Sequence, residues 1–223
     1  MSHRPPRAIL FDFDGTLVDS APDLAGAIND MRTSDGLDPL PYEALRPHAT
    51  YGARSLLTAG FGLRPDDAAF DEQRKRFLAI YDRRKLDHSH LFDGVLELLI
   101  ALERRGLAWG IVTNKHSRLA EPMIDELLRG RAFTPVAVVC GDSTPTPKPH
   151  PAPLLLAASD AEVGVEDCWF VGDGEADMRA SRTAGMLPVL ARYGYLPDHE
   201  AAGDWGARHE IARPLDLLTL LPR

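Results

Sequence analysis

The sequence predicts an α/β fold in which an open parallel sheet carries an inserted all-helical domain. Short apolar runs recur along the chain and alternate with helical patterns, an order typical of parallel sheets with right-handed crossovers. The runs are apolar throughout, which favours strands covered on both faces over half-exposed strands. One long interval, from residue 20 to residue 92, shows helical periodicity and no clear strand.

Five apolar runs are predicted to form the strands of the sheet. In chain order they read AILF, LAWGIV, PVAVVC, CWFV and MLPVLA. The segment VLELLIALERRG, before the second run, has helical spacing and ends at Gly106, a residue type that commonly ends helices. The segment LAEPMIDELL, after that run, is a second predicted helix.

The interval without a strand pattern, residues 20–92, divides the chain into two predicted domains. Residues 1–19 and 93–223 are expected to form the α/β core, and residues 20–92 a helical cap. The cap contains three helical patterns, and the segment HSHLFDGV is expected to return the chain to the core.

Composition narrows the class of protein. The chain has 223 residues, 44% of them hydrophobic and 26% charged, which is ordinary for a soluble globular protein. A net charge of -8 without a basic stripe argues against nucleic-acid binding. We expect no membrane segment, a cytoplasmic location, and two buried free thiols at Cys140 and Cys168.

Polar side chains follow the predicted strands, where the carboxyl ends of parallel strands form a ligand-binding edge. They are Asp12, Asp14, Thr113, Asn114, Lys115, Lys148, Asp173 and Asp177. Carboxylates packed this closely repel one another unless a cation lies between them. Magnesium is typically held by one or two carboxylates together with a substrate phosphate, and a lysine and a hydroxyl suit the remaining phosphate oxygens. A central Asp can act as a nucleophile and form an aspartyl-phosphate.

Four segments carry a family resemblance. DFDGTLVDS resembles the first motif of the haloacid dehalogenase superfamily, and IVTNK resembles the second. Lys148 in TPKPHP is similar to the third motif and VGDGEAD to the fourth, in the right order along essentially the whole chain. The resemblance implies a Rossmann-like core, a helical cap and a Mg²⁺-dependent phosphatase.

The resemblance assigns roles to the carboxylates. Asp12 is expected to be the nucleophile, and Asp14 to protonate the leaving group and then activate water. Asp173, the Asp12 carboxylate and the Asp14 carbonyl are expected to hold Mg²⁺, with Asp177 in a supporting role. Because superfamily members that cleave carbon–halogen bonds typically lack the second carboxylate, Asp14 favours phosphoryl chemistry over dehalogenation.

The same resemblance implies the phosphate site. Thr113 and Asn114 are expected to bind the phosphoryl group, and Lys148 to balance its charge. Gly15 and Thr16 are expected to shape the turn that lets the backbone approach the phosphate.

The substrate is expected to be a small phosphomonoester that carries a carboxylate. Within the superfamily the chain is similar to bacterial phosphoglycolate phosphatases. The segments NKHSRLAEPM, ARYGYLPD and GDWGARHEI resemble a subgroup that hydrolyses N-acetylmuramic acid 6-phosphate. Arg54, in the cap segment TYGARSLL, is a candidate for the substrate carboxylate, and an ordinary surface arginine is the alternative.

Other interpretations stay open at this stage. A phosphomutase on the same scaffold would return the phosphoryl group to a sugar, and the sequence does not separate it from a phosphatase. A signalling receiver domain uses similar residues but is about half as long and lacks a helical insertion. A catalytically silent binding protein would have little need of the complete set of chemical residues. The sequence leaves the oligomeric state unknown.

Overall fold

The computed structural model describes residues 5–196 and 205–222. Eight strands lie in these ranges: β1 Ala8–Phe11, β2 Val18–Asp19, β3 His90–Leu91, β4 Ala108–Val112, β5 Val138–Val139, β6 Cys168–Gly172, β7 Leu187–Ala191 and β8 His209–Ile211. Six of them form one parallel sheet in the order β5-β4-β1-β6-β7-β8. The other two, β2 and β3, form a short antiparallel ribbon.

Helices cover the sheet and fill the interval after β2. Four lie between β2 and β3: α1 Ala21–Ser34, α2 Tyr42–Leu45, α3 Gly52–Phe61 and α4 Phe70–Arg84. Five follow β3: α5 Val95–Arg104, α6 Ser117–Leu127, α7 Ala152–Asp160, α8 Glu175–Ala184 and α9 Leu217–Leu220. None of the described helices is long and apolar enough to cross a membrane.

Strand β1 lies inside the sheet, paired with β4 on one side and β6 on the other, and both of its faces are buried. Ile9 and Phe11 pack into one apolar cluster, and Ala8 and Leu10 pack into another on the opposite face. This burial explains why the run AILF is apolar at every position. The predicted α/β class with a parallel sheet is confirmed.

The helices α1–α4 supply most of a third apolar cluster. Phe77 and Tyr81 of α4 and Ile28 of α1 belong to it, and Leu119 of α6 and Tyr195 join it from the core. The ribbon of β2 and β3 lies where the chain leaves the core and returns to it. Residues 20–92 stay our proposed bounds for the cap.

Two features of the sheet differ from the predicted strands. The run PVAVVC forms only the two-residue strand β5, because its pairing with β4 is limited to Val138 and Val139. Strand β8 was not predicted, since HEI contains a single apolar residue and pairs only at the sheet edge. The prediction for Cys140 and Cys168 is confirmed, since both are free and buried.

Candidate active site

The site lies where β1, β4 and β6 end at the same edge of the sheet. The backbone N–H of Asp12 donates to the carbonyl of Val171 at 2.8 Å, so the residue after β1 still continues the sheet ladder. The N–H of Thr113 does the same with Val139 at 2.9 Å. Because the backbone is paired up to these residues, the direction in which their side chains leave the backbone is fixed.

Lys148 connects two acidic residues of the site. Its Nζ lies 2.9 Å from Oδ1 of Asp12 and 2.7 Å from Oδ1 of Asp177. It also donates to the carbonyl of Val112 at 2.7 Å. Three acceptors match the three N–H bonds of an ammonium group, so the buried lysine is fully paired.

Asp12, Asp173 and Asp177 form an acidic cluster. One carboxylate oxygen of each lies within 4.8 Å of the others. Burial raises the pKa of Asp12 to about 7, the Lys148 charge opposes this rise, and the Asp177 carboxylate adds to it. Burial, Asp12 and Asp177 together raise the pKa of Asp173 well above its ordinary value. Raised pKa values in such a cluster indicate a shortage of positive charge.

Two glycines leave room for the Asp173 carboxylate. Gly15 has a φ of +83°, and a Cβ there would lie 2.2 Å from Oδ2 of Asp173. A Cβ on Gly194 would lie 2.3 Å from Cβ of the same aspartate. The backbone N–H of Tyr195 donates to Asp173 Oδ2 at 2.8 Å. This cradle fixes the orientation of the carboxylate.

The side chain of Asp14 is held apart from the acidic cluster. Its Oδ1 and Oδ2 accept hydrogen bonds from Nζ of Lys115 at 2.8 Å and 3.0 Å, and the hydroxyl of Ser20 donates to Oδ1. The Lys115 ammonium also lies 4.7 Å from the ring centroid of Tyr81 on cap helix α4. Burial opposes the charge of Lys115, but the Asp14 carboxylate outweighs it and raises the pKa of the lysine.

The predicted phosphate-binding residues occupy different positions in the site. Thr113 is buried, and its Oγ1 accepts a hydrogen bond from the N–H of Lys115 at 3.1 Å. The amide of Asn114 donates to the carbonyl of Lys148 and accepts from its N–H, both at 2.9 Å. The Asn114 side chain therefore holds the loop that carries Lys148. A phosphate-binding role for Asn114 stays a prediction.

The turn after β1 also contains Thr16, which is fully buried. Its carbonyl accepts a hydrogen bond from the Tyr193 hydroxyl at 2.9 Å, and its own Oγ1 has no hydrogen-bond partner. Thr16 therefore supports the turn through its backbone.

The cap approaches the site through the short 3-10 helix Arg46–Tyr51, which precedes α3. Thr50 Oγ1 donates to the carbonyl of Tyr195 at 2.9 Å, and a Cβ on Gly174 would lie 3.1 Å from Thr50 Cγ2. Tyr51 is 47% exposed; partial burial raises its pKa, and the carboxylates of Glu175 and Asp173 raise it further. Arg54 is exposed on α3, and its guanidinium has no hydrogen bond or ion pair with the described residues.

The acidic cluster fits a hard divalent cation. Its donors are carboxylate oxygens, the ligand type that Mg²⁺ prefers, and the raised pKa values of Asp12 and Asp173 favour a bound positive charge. The predicted metal carboxylates Asp12 and Asp173 are brought together here. Asp177, predicted only as supporting, is the third member of the cluster and also binds Lys148.

Sequence reasoning missed two residues of the site and gave a third no role. Lys115 was placed at the sheet edge without a role, although its position after Thr113 and Asn114 was a signal. Ser20 and Tyr195 were missed. Ser20 stands at the start of a helix, where a serine is expected to cap it, and Tyr195 is distant in the sequence.

The chain belongs to the haloacid dehalogenase-like hydrolase family, whose model matches residues 9–191. This match includes Asp12, Asp14, Thr113, Lys148 and Asp173. The predicted family is confirmed, and similar proteins that are named as phosphatases show that the chain is a phosphatase of this family.

Similar proteins carry two different substrate names. The chain is 38% identical over 217 residues to an N-acetylmuramic acid 6-phosphate phosphatase of Pseudomonas aeruginosa, covering 97% of this chain and 95% of the relative. It is 39% identical over 214 residues to a phosphoglycolate phosphatase of Xanthomonas campestris pv. campestris, covering 96% of each. The crystal structure of a predicted phosphoglycolate phosphatase from Haemophilus somnus has a TM-score of 0.81 and 27% identity, covering 96% of this chain and 97% of that one.

Proposed function

We propose that the chain hydrolyses a small phosphomonoester through an aspartyl-phosphate on Asp12, with Mg²⁺ as cofactor. The observation that carries this proposal is the Lys148 ammonium, which lies between Asp12 and Asp177 at the centre of the site. Lys148 engages Oδ1 of Asp12, and Oδ2 has no hydrogen bond to the described residues. One oxygen is thereby anchored and the other is available for attack.

The reaction has two steps, and side chains of this chain supply the nucleophile and carry the protons in both. A carboxylate oxygen of Asp12 attacks phosphorus, and the bond from phosphorus to the ester oxygen breaks. Asp14 gives a proton to the departing alkoxide, then takes a proton from the water that attacks the aspartyl-phosphate. This second attack releases phosphate and restores the Asp12 carboxylate.

Positioning and charge supply most of the rate enhancement in phosphoryl transfer. We assign the Asp12 and Asp173 carboxylates and the Asp14 carbonyl to the Mg²⁺ site, with Asp177 beside them. The cation would neutralise charge on the phosphoryl oxygens. Thr113 and Lys148 are assigned to the remaining oxygens, with a phosphoryl oxygen taking the place of one of the three acceptors that pair Lys148. The N–H of Lys115 holds the Thr113 hydroxyl in place.

The proposed substrate is a phosphomonoester with a carboxylate, either 2-phosphoglycolate or N-acetylmuramate 6-phosphate. Similarity to relatives with both names supports both compounds. The exposed ring of Tyr51 favours the sugar phosphate, because an aromatic face at the end of the 3-10 helix of the cap suits a sugar ring, whereas phosphoglycolate has no ring to cover it. Arg54 is assigned to the carboxylate.

Phosphate release in the presence and absence of Mg²⁺ tests this proposal. We expect Asp12→Asn to lower kcat by a factor on the order of 10³ or more while the protein stays folded, since the nucleophile is lost. The wild-type protein would be compared on the two proposed substrates. A ratio of about tenfold in kcat/KM, or roughly 1.4 kcal/mol, assigns the substrate.

Three results would contradict parts of the proposal. Activity of Asp12→Asn within about tenfold of wild type rules out the covalent step. Full activity after removal of divalent cations rules out the cofactor. Hydrolysis of neither compound, with transfer of phosphate between positions of a sugar phosphate, favours the mutase alternative.

A further inference from the structure

The first cap helix begins with a serine that does not cap it. Ser20 is the residue before α1, and serine at this position usually accepts a hydrogen bond from the helix backbone. Here Ser20 makes no side-chain cap bond, and its hydroxyl donates to Asp14 instead. The first backbone N–H groups of α1 therefore need another acceptor.

That acceptor is the phenol of Tyr195, from the segment after β7. Its oxygen accepts hydrogen bonds from the N–H of Ser20 at 2.6 Å and from the N–H of Ala21 at 3.0 Å, and the latter N–H also has a longer bond of 3.3 Å to Oδ1 of Asp19. The phenol hydrogen can be donated to Oδ1 of Asp19 at 2.9 Å or to the carbonyl of Val18 at 3.2 Å. Two acceptor lone pairs and one donor are thereby all used, as expected for a fully buried neutral phenol.

Tyr195 also contacts the catalytic edge and the cap. Its N–H donates to Asp173, as described above, and its carbonyl accepts from the Thr50 hydroxyl at 2.9 Å. The guanidinium carbon of Arg46 lies 5.1 Å from the centroid of its ring. One residue therefore contacts a proposed metal ligand, the start of α1 and the 3-10 helix before α3.

We propose that Tyr195 is a positioning residue that caps α1 in place of Ser20, which leaves the Ser20 hydroxyl to orient Asp14. The inference rests on the proposed function, because orienting Asp14 affects the reaction only if Asp14 transfers protons. Tyr195 acts through Ser20 and touches no reacting atom.

The test combines hydrogen exchange with a double-mutant cycle. Tyr195→Phe keeps the ring and removes the phenol oxygen. We expect the amides of Ser20 and Ala21 to exchange about tenfold faster or more, while amides of β1 and β6 keep their protection. Tyr193→Phe is the matched control: it removes a phenol bond to Thr16 from the same segment, and we expect it to leave exchange at Ser20 and Ala21 unchanged.

Kinetics with p-nitrophenyl phosphate examine the link to Asp14. We expect Ser20→Ala and Tyr195→Phe each to lower kcat about three- to tenfold, with the inhibition constant of inorganic phosphate within about twofold of wild type. The double variant should be no slower than the slower single variant, because both changes act on one interaction. A purely structural role would weaken phosphate binding as well.

Several outcomes would overturn the inference. They are unchanged exchange at Ser20 and Ala21 in Tyr195→Phe, unchanged kcat in either single variant, or rate losses that multiply in the double variant. If Tyr195→Phe does not fold, Ser20→Ala alone decides: it must lower kcat while both amides stay protected. Failure of the wild-type protein to hydrolyse any phosphomonoester contradicts the proposed function, and the exchange measurement still tests capping by Tyr195.

Discussion

The ammonium of Lys148 lies 2.9 Å from Oδ1 of Asp12, and the two side chains are only 1% and 13% exposed. Burial alone would lower the pKa of this lysine, but the carboxylates of Asp12 and Asp177 outweigh it and raise the pKa to about 12. Lys148 is therefore charged at neutral pH. Its positive charge partly neutralises the acidic cluster. Among the described residues, no other buried lysine or arginine is paired with that cluster.

Removal of this charge is expected to destabilise the protein strongly. Lys148→Met leaves Asp12 and Asp177 buried without their partner, and breaking such a pair costs about 3–5 kcal/mol. Denaturant unfolding measures the loss, and we expect added Mg²⁺ to recover part of it. The matched control is Lys85→Met, which breaks a more exposed pair with Asp82 and should cost less than about 1 kcal/mol. Equal losses in the two variants would contradict the expectation.

The sequence predicted that Asp12, Thr113 and Asp173 lie at one edge of the sheet because each of them directly follows an apolar strand. Asp12 and Thr113 continue the hydrogen-bond ladder of the sheet, so identifying the strand also placed the side chain. Strand β8 was not predicted because an edge strand of three residues needs no continuous apolar run. The capping of α1 by Tyr195 was not predicted for another reason. It joins residues 175 positions apart, and no local sequence pattern indicates such a contact.

Gly15 is expected to tolerate no side chain. Gly15→Ala places a Cβ 2.2 Å from the Asp173 carboxylate in a backbone conformation with φ of +83°. Asp173 must then move, so we expect kcat/KM to fall by a factor on the order of 100 or more and Mg²⁺ binding to weaken. Calorimetry and phosphate release measure the two effects.

Gly36→Ala is the control for the strain of a positive φ. Gly36 has a φ of +74°, and a Cβ there meets nothing within 4 Å. We expect this variant to lose about 1 kcal/mol of stability and to keep full activity. If Gly15→Ala behaves in the same way, contact with Asp173 is not what requires glycine.

Magnesium affinity is expected to depend on pH below neutrality. An ordinary aspartate has a pKa of 3.8, but burial and Asp177, opposed by Lys148, place the pKa of Asp12 at about 7. Between about pH 4 and pH 7 the folded metal-free protein keeps a proton that the unfolded chain has lost, so its stability falls as pH rises through that window. Below pH 7 a cation must displace this proton.

We therefore expect the Kd for Mg²⁺ to be about tenfold larger at pH 6 than at pH 8. Binding at pH 6 should also release a proton. Isothermal titration calorimetry in two buffers of different ionisation enthalpy measures both quantities. The stabilisation of the protein by Mg²⁺ in thermal unfolding should accordingly be larger at pH 8. An affinity that is the same at both pH values would contradict the raised pKa.

The exposed guanidinium of Arg54 is expected to select substrates that carry a carboxylate. Two substrate pairs isolate that group: 2-phosphoglycolate with 2-hydroxyethyl phosphate, and N-acetylmuramate 6-phosphate with N-acetylglucosamine 6-phosphate. Because only one member of each pair offers a carboxylate for a bidentate hydrogen bond, we expect Arg54→Ala to lower kcat/KM about 10- to 100-fold for that member and less than about twofold for the other. Arg54→Lys should recover only part of the loss, since an ammonium group lacks the planar pair of N–H donors of a guanidinium.

Arg74→Ala, a change at another exposed arginine of the cap, is the control and should leave all four kcat/KM values unchanged. An equal loss within each pair would show that Arg54 acts on the phosphate or on the cap, and no loss at all would make it an ordinary surface residue.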